Sequence, residues 1–270
     1  MARSAASARA HIGQKTVSQI LGLIPNILVW LEADSGVTMD VSNRVSQWND
    51  QTANGGNAVQ ATSGIQPLYV ASSINSLPAI RFTSARNDYM TLTTTLASAG
   101  SAHSLFAVFK ENAAGPSSFN GVIGFGSSVV GQSTSIIGQD NTNSLWFGGA
   151  GVGVPTLGVL SNGQVVMAAK TTSANNPSVD TIWRNGVKYK SVKQLGNYAI
   201  NPLTDGILGR YFSTSGTGNH DIALAIWASR EFSDREMEIL NAYAGKKYGI
   251  GTHARSAASA RLAASARSAA

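Results

Sequence analysis

The chain contains no cysteine and few charged residues, and these absences exclude several classes of protein. Charged residues make up 13% of the 270 residues. Without cysteine there is no disulfide framework and no thiolate for catalysis or metal binding, so the fold depends on its hydrophobic core. The 28 glycines and the low charge are typical of a sheet protein rich in turns rather than of a helical bundle.

Long apolar segments are also scarce. The apolar stretch at residues 20–31 is interrupted by Pro25 and Asn26, and it is shorter than the roughly 20 residues that a membrane span requires. The N-terminal residues lack the small-x-small cleavage pattern that follows the apolar part of a secretory signal peptide. We therefore expect no membrane span and no clear signal peptide.

Positive charge is concentrated at the two ends of the chain. The net charge is +6, but the Ala/Ser/Arg-rich ends hold five arginines and no acid, so the part between them has a net charge of +1. These ends, the N-terminal arm (1–10) and the C-terminal arm (254–270), contain Arg3, Arg9, Arg255, Arg261 and Arg267. The basicity therefore does not indicate a nucleic-acid-binding face on the core, and we expect no specific nucleic-acid partner.

The two arms share one octamer, Ala-Arg-Ser-Ala-Ala-Ser-Ala-Arg, at 2–9 and again at 254–261. Such a duplication fits cloning linkers, natural low-complexity arms, or arms whose arginines contact a partner, and these alternatives stay open. Between the arms we predict a single domain at 11–253, whose first residues, 11–26, form a lead-in segment.

A buried strand followed by a short helix is predicted near the end of the chain. The continuous apolar run Ile222–Trp227 is typical of a strand buried on both faces. Ser233 and Glu236 have the spacing of a capping box at a helix N-terminus. Gly249 supplies the C-terminal stop.

Turn signals divide the rest of the chain into short strands. Asn185-Gly186, between two apolar segments, predicts a hairpin with a two-residue type I′ turn. About a dozen short strands separated by turn residues favour a two-sheet sandwich. The glycine-rich stretch 148–158 is interpreted as a loop.

Several motifs resemble those of LamG-like (concanavalin A-like lectin/glucanase) jelly-roll modules. They are Val-Trp-Leu-Glu-Ala-Asp-Ser-Gly at 29–36, Arg-Val-Ser-Gln-Trp-Asn-Asp at 44–50, Asn-Gly-Gly-Asn-Ala-Val-Gln at 54–60, Gln-Pro-Leu-Tyr-Val at 66–70, Leu-Pro-Ala-Ile-Arg-Phe at 77–82, and the helix with Lys-Lys-Tyr-Gly-Ile at 246–250. The resemblance covers residues 24–250. It implies an all-β, two-sheet antiparallel jelly-roll sandwich with one short C-terminal helix. Such modules occur in bacterial surface proteins and phage structural proteins, and the fold hosts lectins, hydrolases and structural modules.

The carboxylates of a glycoside hydrolase are incomplete in the sequence. The glucanases of this fold place acidic residues at alternate positions of one strand, as in Glu-x-Asp-x-x-Glu. Glu32 and Asp34 supply the first two, but the third is missing, and Asp34-Ser-Gly predicts a turn. No Gly-x-Ser-x-Gly nucleophile motif is present. We therefore predict that the chain is not an enzyme.

Metal ligands are not evident either. The histidines are scattered without the spacing of a zinc site, and His220 beside Asp221 predicts a local hydrogen bond. Calcium stays a candidate because Asx residues supply oxygen ligands, although they also form turns. The Asx pairs are Asn49-Asp50, Asn87-Asp88 and Asp140-Asn141. We assign no cofactor and no metal site.

Aromatic residues are the candidates for sugar binding, because an exposed ring can stack on a sugar beside amides or carboxylates. Trp30 and Trp227 lie in apolar runs and are expected in the core. The candidate platform residues are Trp146, Trp183, Tyr189 and Tyr211.

Two functions follow as expectations. The first is a structural phage virion component, a decoration or fibre protein located in the virion, whose arms contact other virion subunits or further copies while the sandwich faces outward. The alternative is a lectin module of an extracellular or bacterial surface protein that binds cell-surface glycans. A glycoside hydrolase is the third hypothesis.

Overall fold

The structure, a computed structural model, describes residues 15–96, 102–113, 119–126, 135–140, 142–148, 156–172, 179–193, 205–211 and 216–251. The α-helices of these residues are α1 (Val17–Leu21) and α2 (Asp234–Lys247), and short 3₁₀ helices lie at Ser63–Ile65 and Ser84–Arg86. The strands are, in chain order, β1 (Ile27–Glu32), β2 (Val37–Met39), β3 (Val45–Trp48), β4 (Ala58–Val59), β5 (Leu68–Ile74), β6 (Leu77–Phe82), β7 (Met90–Leu92), β8 (His103–Ala113), β9 (Phe119–Gly126), β10 (Ser135–Asp140), β11 (Ser144–Gly148), β12 (Thr156–Val159), β13 (Val165–Thr172), β14 (Val179–Arg184), β15 (Val187–Lys193), β16 (Asp205–Leu208) and β17 (Asn219–Ala228).

These strands form two sheets. Sheet A has the order β15-β14-β13-β8-β17-β6-β5, and β1 pairs with the second half of β17. Sheet B has the order β12-β11-β10-β9-β16-β7-β4-β3-β2. Neighbours in both sheets that are distant in sequence, such as β8 and β17, reflect crossovers between the sheets. The predicted two-sheet antiparallel sandwich with a helix near the C-terminus is confirmed. None of the helices in the described ranges is long and apolar enough to cross a membrane.

Among the described residues, two large hydrophobic cores hold the layers together, and a small third cluster contains Ile136, Trp146 and Tyr211. One lies between the sheets and includes Phe109 of sheet A and Phe125 of sheet B. The other lies on the outer face of sheet A, where residues of both helices, such as Leu240, cover it. Strand β17 contributes to both cores, and every residue from Ile222 to Ala228 is fully buried. The predicted strand buried on both faces is therefore observed.

Helix α2 begins and ends as its sequence predicts. The Ser233 hydroxyl accepts a hydrogen bond from the Glu236 amide at 3.3 Å, and the Ser233 amide donates to the Glu236 carboxylate at 2.9 Å. Phe232 and Met237, before and after the cap, are both buried in the outer core. Gly249 has φ +66°, the left-handed conformation that ends a helix. The capping box thus fixes where the chain leaves sheet A and turns back across it.

The hairpin turn is as predicted, and one loop is not. Asn185 and Gly186 have φ values of 49° and 77°, as a type I′ turn requires at both central positions. In the predicted loop 148–158, by contrast, residues from Thr156 onward form β12, which pairs with β11. Pairing with a neighbouring strand supplies the stability that the sequence of this edge segment lacks. The rest of that predicted loop, 149–155, lies outside the described residues.

Candidate functional site

Two of the four candidate aromatic residues lie on opposite faces of sheet A. Trp183 belongs to the outer core beneath helix α2 and is 4% exposed. Lys188 lies above its ring, with the ammonium nitrogen 5.7 Å from the ring centroid, and pairs with Asp234 of α2 at 2.6 Å. Tyr189 lies opposite Ile182, a residue of the inter-sheet core, and is 37% exposed. The structure therefore does not bring Trp183 and Tyr189 together.

The other two, Trp146 and Tyr211, meet on the outer face of sheet B. Successive side chains of a strand point to opposite faces, and Phe147 next to Trp146 belongs to the inter-sheet core. The rings of Trp146 and Tyr211 are 5.1 Å apart in an edge-on arrangement. Trp146 is 1% exposed and Tyr211 7%, so neither presents an open ring face. Sugar binding by the four aromatics stays a prediction, and the geometry leaves Tyr189 as its exposed member.

Glu32 and Asp34 hold helix α2 on sheet A. The ammonium of Lys247 lies 2.8 Å from the Glu32 carboxylate and 2.9 Å from that of Asp34. The Tyr243 hydroxyl donates to Glu32 at 2.6 Å, and burial together with this carboxylate raises the pKa of Tyr243. Burial opposes the charge of Lys247, but the two carboxylates outweigh it and raise its pKa. The two acids that match the first positions of the hydrolase motif therefore have a structural role.

The carboxylates of the candidate calcium pairs already accept hydrogen bonds from other groups of the protein. Asp50 accepts from the amides of Trp30 and Gly56 at 2.8 and 3.0 Å. Asp88 accepts from Thr83 at 2.5 Å, and Asp140 caps its own turn through the amides two and four residues later. Among the described residues no three His, Cys, Asp or Glu side chains are grouped so that they could hold a metal. Asn141 and the five arm arginines, Arg3, Arg9, Arg255, Arg261 and Arg267, lie outside the described residues.

A shallow depression of about 340 Å³ opens on the outer face of sheet A, and its described lining includes no residue of α2. Asp221 of β17 lies directly opposite Arg81 of β6 on one side and Lys110 of β8 on the other. Their neighbours Ile222 and Phe109 belong to the inter-sheet core, so the three charged residues point outward in one row. The depression lies at the end of this row and is lined by Arg81, Thr83, Asn112, Ala113 and Asn219.

Asp221 organises this row. Arg81 donates to both carboxylate oxygens of Asp221, at 2.7 and 2.8 Å, while Asn112 donates at 2.6 Å and Ser73 also donates. Lys110 lies 3.1 Å away. Burial alone would raise the pKa of Asp221, but the hydrogen bonds from Arg81, Ser73 and Asn112 outweigh it and lower the pKa to about 2. Asp221 therefore stays ionised at neutral pH and fixes the side chains around it.

The atoms that remain for a ligand lie in front of Asp221. Arg81 uses Nε and Nη2 for Asp221, and its side chain is 34% exposed, so Nη1 is the nitrogen left toward solvent. The Asn112 amide nitrogen is engaged by Asp221, which leaves its carbonyl oxygen as an acceptor. The depression thus combines rigid donors and acceptors on neighbouring strands.

Sequence reasoning missed this depression. One signal was present, because the alternation Ile-Arg-Phe in β6 places Arg81 on the face opposite Ile80 and Phe82. The partners of Arg81, however, are Asp221 and Asn112, and only the pairing register of three strands distant in sequence brings them together.

His220 does not form the predicted local hydrogen bond with Asp221. Adjacent strand residues point to opposite faces, so His220 turns into the inter-sheet core. There its Nδ1 lies 3.2 Å from the carboxylate of Glu111, and both side chains are fully buried. The other polar atoms, Nε2 of His220 and Oε1 of Glu111, have no hydrogen-bond partner among the described residues.

No family model matches the chain, and no curated protein sequence matches it. Solved structures do resemble it. A sialidase of Trypanosoma rangeli, in complex with the inhibitor DANA, gives a TM-score of 0.58 at 11% identity over 87% of this chain and 36% of the sialidase. Domain 4 of AbnA, a GH43 extracellular arabinanase of Geobacillus stearothermophilus in complex with arabinotriose, gives 0.55 at 13% identity over 80% of this chain and 98% of that domain. The binding domain of Paraclostridial Mosquitocidal Protein 1 gives 0.55 at 11% identity, over 80% of this chain and 52% of that domain.

These likenesses concern the fold. The chain spans about a third of the length of the sialidase it matches. They agree with a concanavalin A-like sandwich, whereas the finer LamG-like assignment has no matching family model. None of them shows the expected virion role.

The prediction that the chain is not an enzyme is wrong. It rested on a missing glucanase motif, but the sialidase and the arabinanase that share the sandwich are glycoside hydrolases. Most glycoside hydrolases need two acidic residues at a suitable separation and not at one particular sequence spacing, and some classes do not use two acids. The absence of one motif therefore does not exclude glycoside hydrolases.

Proposed function

We propose that the chain is a glycan-binding β-sandwich module that holds a sugar in the shallow depression beside Asp221. The observation that carries this proposal is the likeness to domain 4 of the arabinanase, whose structure contains arabinotriose and which this chain matches along 98% of that domain. An extracellular or cell-surface location is part of the proposal, because glycans are displayed there.

The chemistry of the depression supports the proposal. Sugar hydroxyls both donate and accept hydrogen bonds. The depression offers the Arg81 guanidinium as a donor, the Asn112 carbonyl as an acceptor, and the oxygen of the Thr83 hydroxyl, whose proton is donated to Asp88, as a second acceptor. Its volume of about 340 Å³ lies at the lower end of the roughly 300–1,000 Å³ that small-molecule sites occupy. The row behind it is locked by Asp221, so little side-chain entropy is lost on binding.

The first experiment is a glycan array on the full chain, with and without calcium. We expect selective binding that does not require calcium. Because two of the structural neighbours are glycoside hydrolases, the glycans bound are also assayed for release of reducing ends. Release would extend the proposal from binding to cleavage, and an array without any selective binding would refute it.

Two variants separate the depression from the exposed aromatic residue. Asn112→Ala removes the carbonyl acceptor of the depression together with one donor to Asp221. It should weaken sugar binding by about 3- to 10-fold, which corresponds to the loss of one hydrogen bond to the sugar. Tyr189→Ala, on the other face of sheet A, should leave the affinity unchanged. The reverse pattern would move the sugar to Tyr189 and away from the depression.

A virion component is the second candidate, and the duplicated octamer at 2–9 and 254–261 is the observation that favours it. In this candidate the arginines of the two arms contact other virion subunits or further copies of the chain. Light scattering of the full chain and of a chain restricted to 11–253 tests it. Assembly that requires the arms would favour this candidate, and two monomeric forms would argue against it.

A further inference from the structure

The positive charge beside the depression favours an anionic ligand. We infer that the bound sugar carries a carboxylate, an inference that rests on the proposed function. The cross-strand row contains two cations, Arg81 and Lys110, and a single anion, Asp221. A surplus of one positive charge therefore lies beside the depression, and its described lining includes Arg81 and no acidic residue.

Asp221 does not cancel this surplus toward the ligand. Its carboxylate is fully buried and receives hydrogen bonds from Arg81, Ser73 and Asn112. A ligand in the depression meets the outer edge of the Arg81 guanidinium instead, where Nη1 is left toward solvent. Lys110 is 18% exposed and is held between Asp221 and the Ser73 carbonyl, and its positive charge adds to the positive potential at the depression.

A carboxylate suits this arrangement better than a dianion does. A guanidinium N–H forms a strong charge-assisted hydrogen bond with a carboxylate oxygen, and one positive charge balances one carboxylate. The carbonyl of Asn112 then accepts from a neighbouring sugar hydroxyl. Carboxylates occur on hexuronic acids and on sialic acids, so the shared chemistry is an acidic sugar.

The test compares matched acidic and neutral probes on the full chain by titration calorimetry. One pair is trigalacturonic acid and its methyl ester, which has the same shape without the charge. The other pair is 3′-sialyllactose and lactose. In at least one pair we expect the acidic member to bind about tenfold tighter, and this preference should shrink as salt rises from about 20 to 300 mM because the charges are partly exposed.

A substitution at Ala113 tests the place of the charge without touching the row. Ala113 is exposed at the end of β8 and lines the depression. Ala113→Glu adds a carboxylate there, and Ala113→Gln adds the same bulk without charge. We expect Ala113→Glu to weaken binding of the preferred acidic probe about 5- to 10-fold relative to Ala113→Gln, with no such difference for a neutral glycan.

The outcomes separate this inference from the proposed function. Equal affinity for acidic and neutral members, or a preference for sulfated over carboxylated glycans, overturns the inference and leaves glycan binding standing. Identical binding of the acidic probe by Ala113→Glu and Ala113→Gln also overturns it, because the carboxylate then lies elsewhere. Absence of binding to every glycan removes the proposed function and the inference with it.

Discussion

Neighbouring residues of β17 face two buried carboxylate clusters that are built in opposite ways. On the outer face of sheet A, the Asp221 carboxylate receives donors from three strands and has a cation on each side. On the inner face, the Glu111 carboxylate has one described partner, His220, and its second oxygen has none. Both carboxylates are fully buried.

This difference in hydrogen bonding determines which of the two clusters can support a bound ligand. A carboxylate that is satisfied by the fold holds its neighbours rigidly and leaves their remaining atoms for another molecule. A carboxylate with a single partner contributes little to positioning and depends on that partner. The first arrangement is that of Asp221, beside an open depression, and the second is that of Glu111, enclosed between the sheets with Phe109 against the His220 ring.

The largest expected effect comes from breaking the inner pair. His220→Leu leaves the Glu111 carboxylate buried without its partner and should lower the free energy of unfolding by about 3–5 kcal/mol. The double variant Glu111→Leu/His220→Leu should regain most of this loss, because a buried pair can be replaced by apolar residues at little cost. Urea denaturation of His220→Leu, Glu111→Leu and the double variant measures the coupling energy between the two side chains.

If the inner pair behaved like Asp221, with its charge shared among several partners, the result would differ. The His220→Leu variant would then lose less than about 1 kcal/mol, and the double variant would be no better than the single. That outcome would remove the contrast between the two clusters.

The next-largest effect is the dependence of stability on pH that the Asp221 cluster produces. The pKa of Asp221 is lowered to about 2 from an ordinary value of 3.8. A carboxyl with a lowered pKa in the folded state stabilises the fold above its unfolded pKa, and this stability is lost as the pH falls toward the folded pKa. At neutral pH this contribution of Asp221 to the free energy of unfolding is about 2 kcal/mol. Asp221→Asn should remove the contribution at pH 7. The difference in the free energy of unfolding between the variant and wild type should therefore shrink as the pH falls from about 4 to about 2.

Equilibrium unfolding by urea at several pH values measures this difference. Asp234→Asn is the matched control, because Asp234 is highly exposed in its pair with Lys188, and it should change stability little at any pH. A difference between Asp221→Asn and wild type that persists unchanged at pH 2 would contradict the assignment of the low pKa to Asp221.

The contrast also marks how much could be read from the sequence. Local signals were reliable: Ser233 and Glu236 cap α2, and Asn185-Gly186 forms the type I′ turn. The fold class followed from many such signals together with the buried run of β17. These features depend on residues a few positions apart, whose interactions the chain order fixes.

The clusters could not be read in the same way. Asp221 and Arg81 are 140 positions apart, and Glu111 and His220 are 109 positions apart. Their contact depends on the register of β17 against β6 and β8, and a shift by one residue would turn every side chain to the other face. The adjacency of His220 and Asp221 in sequence led to a wrong prediction, because it suggested a hydrogen bond between two side chains that lie on opposite faces of the sheet.

The smallest expected effect compares Lys110, a partly buried cation beside Asp221, with Lys188, a cation in an exposed ion pair. Lys110→Met removes an ammonium that is 18% exposed beside the buried carboxylate, and should cost about 1 kcal/mol. Lys188→Met removes one that is 49% exposed, beside the 71% exposed Asp234, and should cost less than about 0.5 kcal/mol. Urea denaturation at low and high salt compares them. Because burial limits screening by salt, the loss of stability in Lys110→Met should persist at high salt. Equal, salt-sensitive losses of stability in the two variants would mean that Asp221 holds its hydrogen-bond network without Lys110.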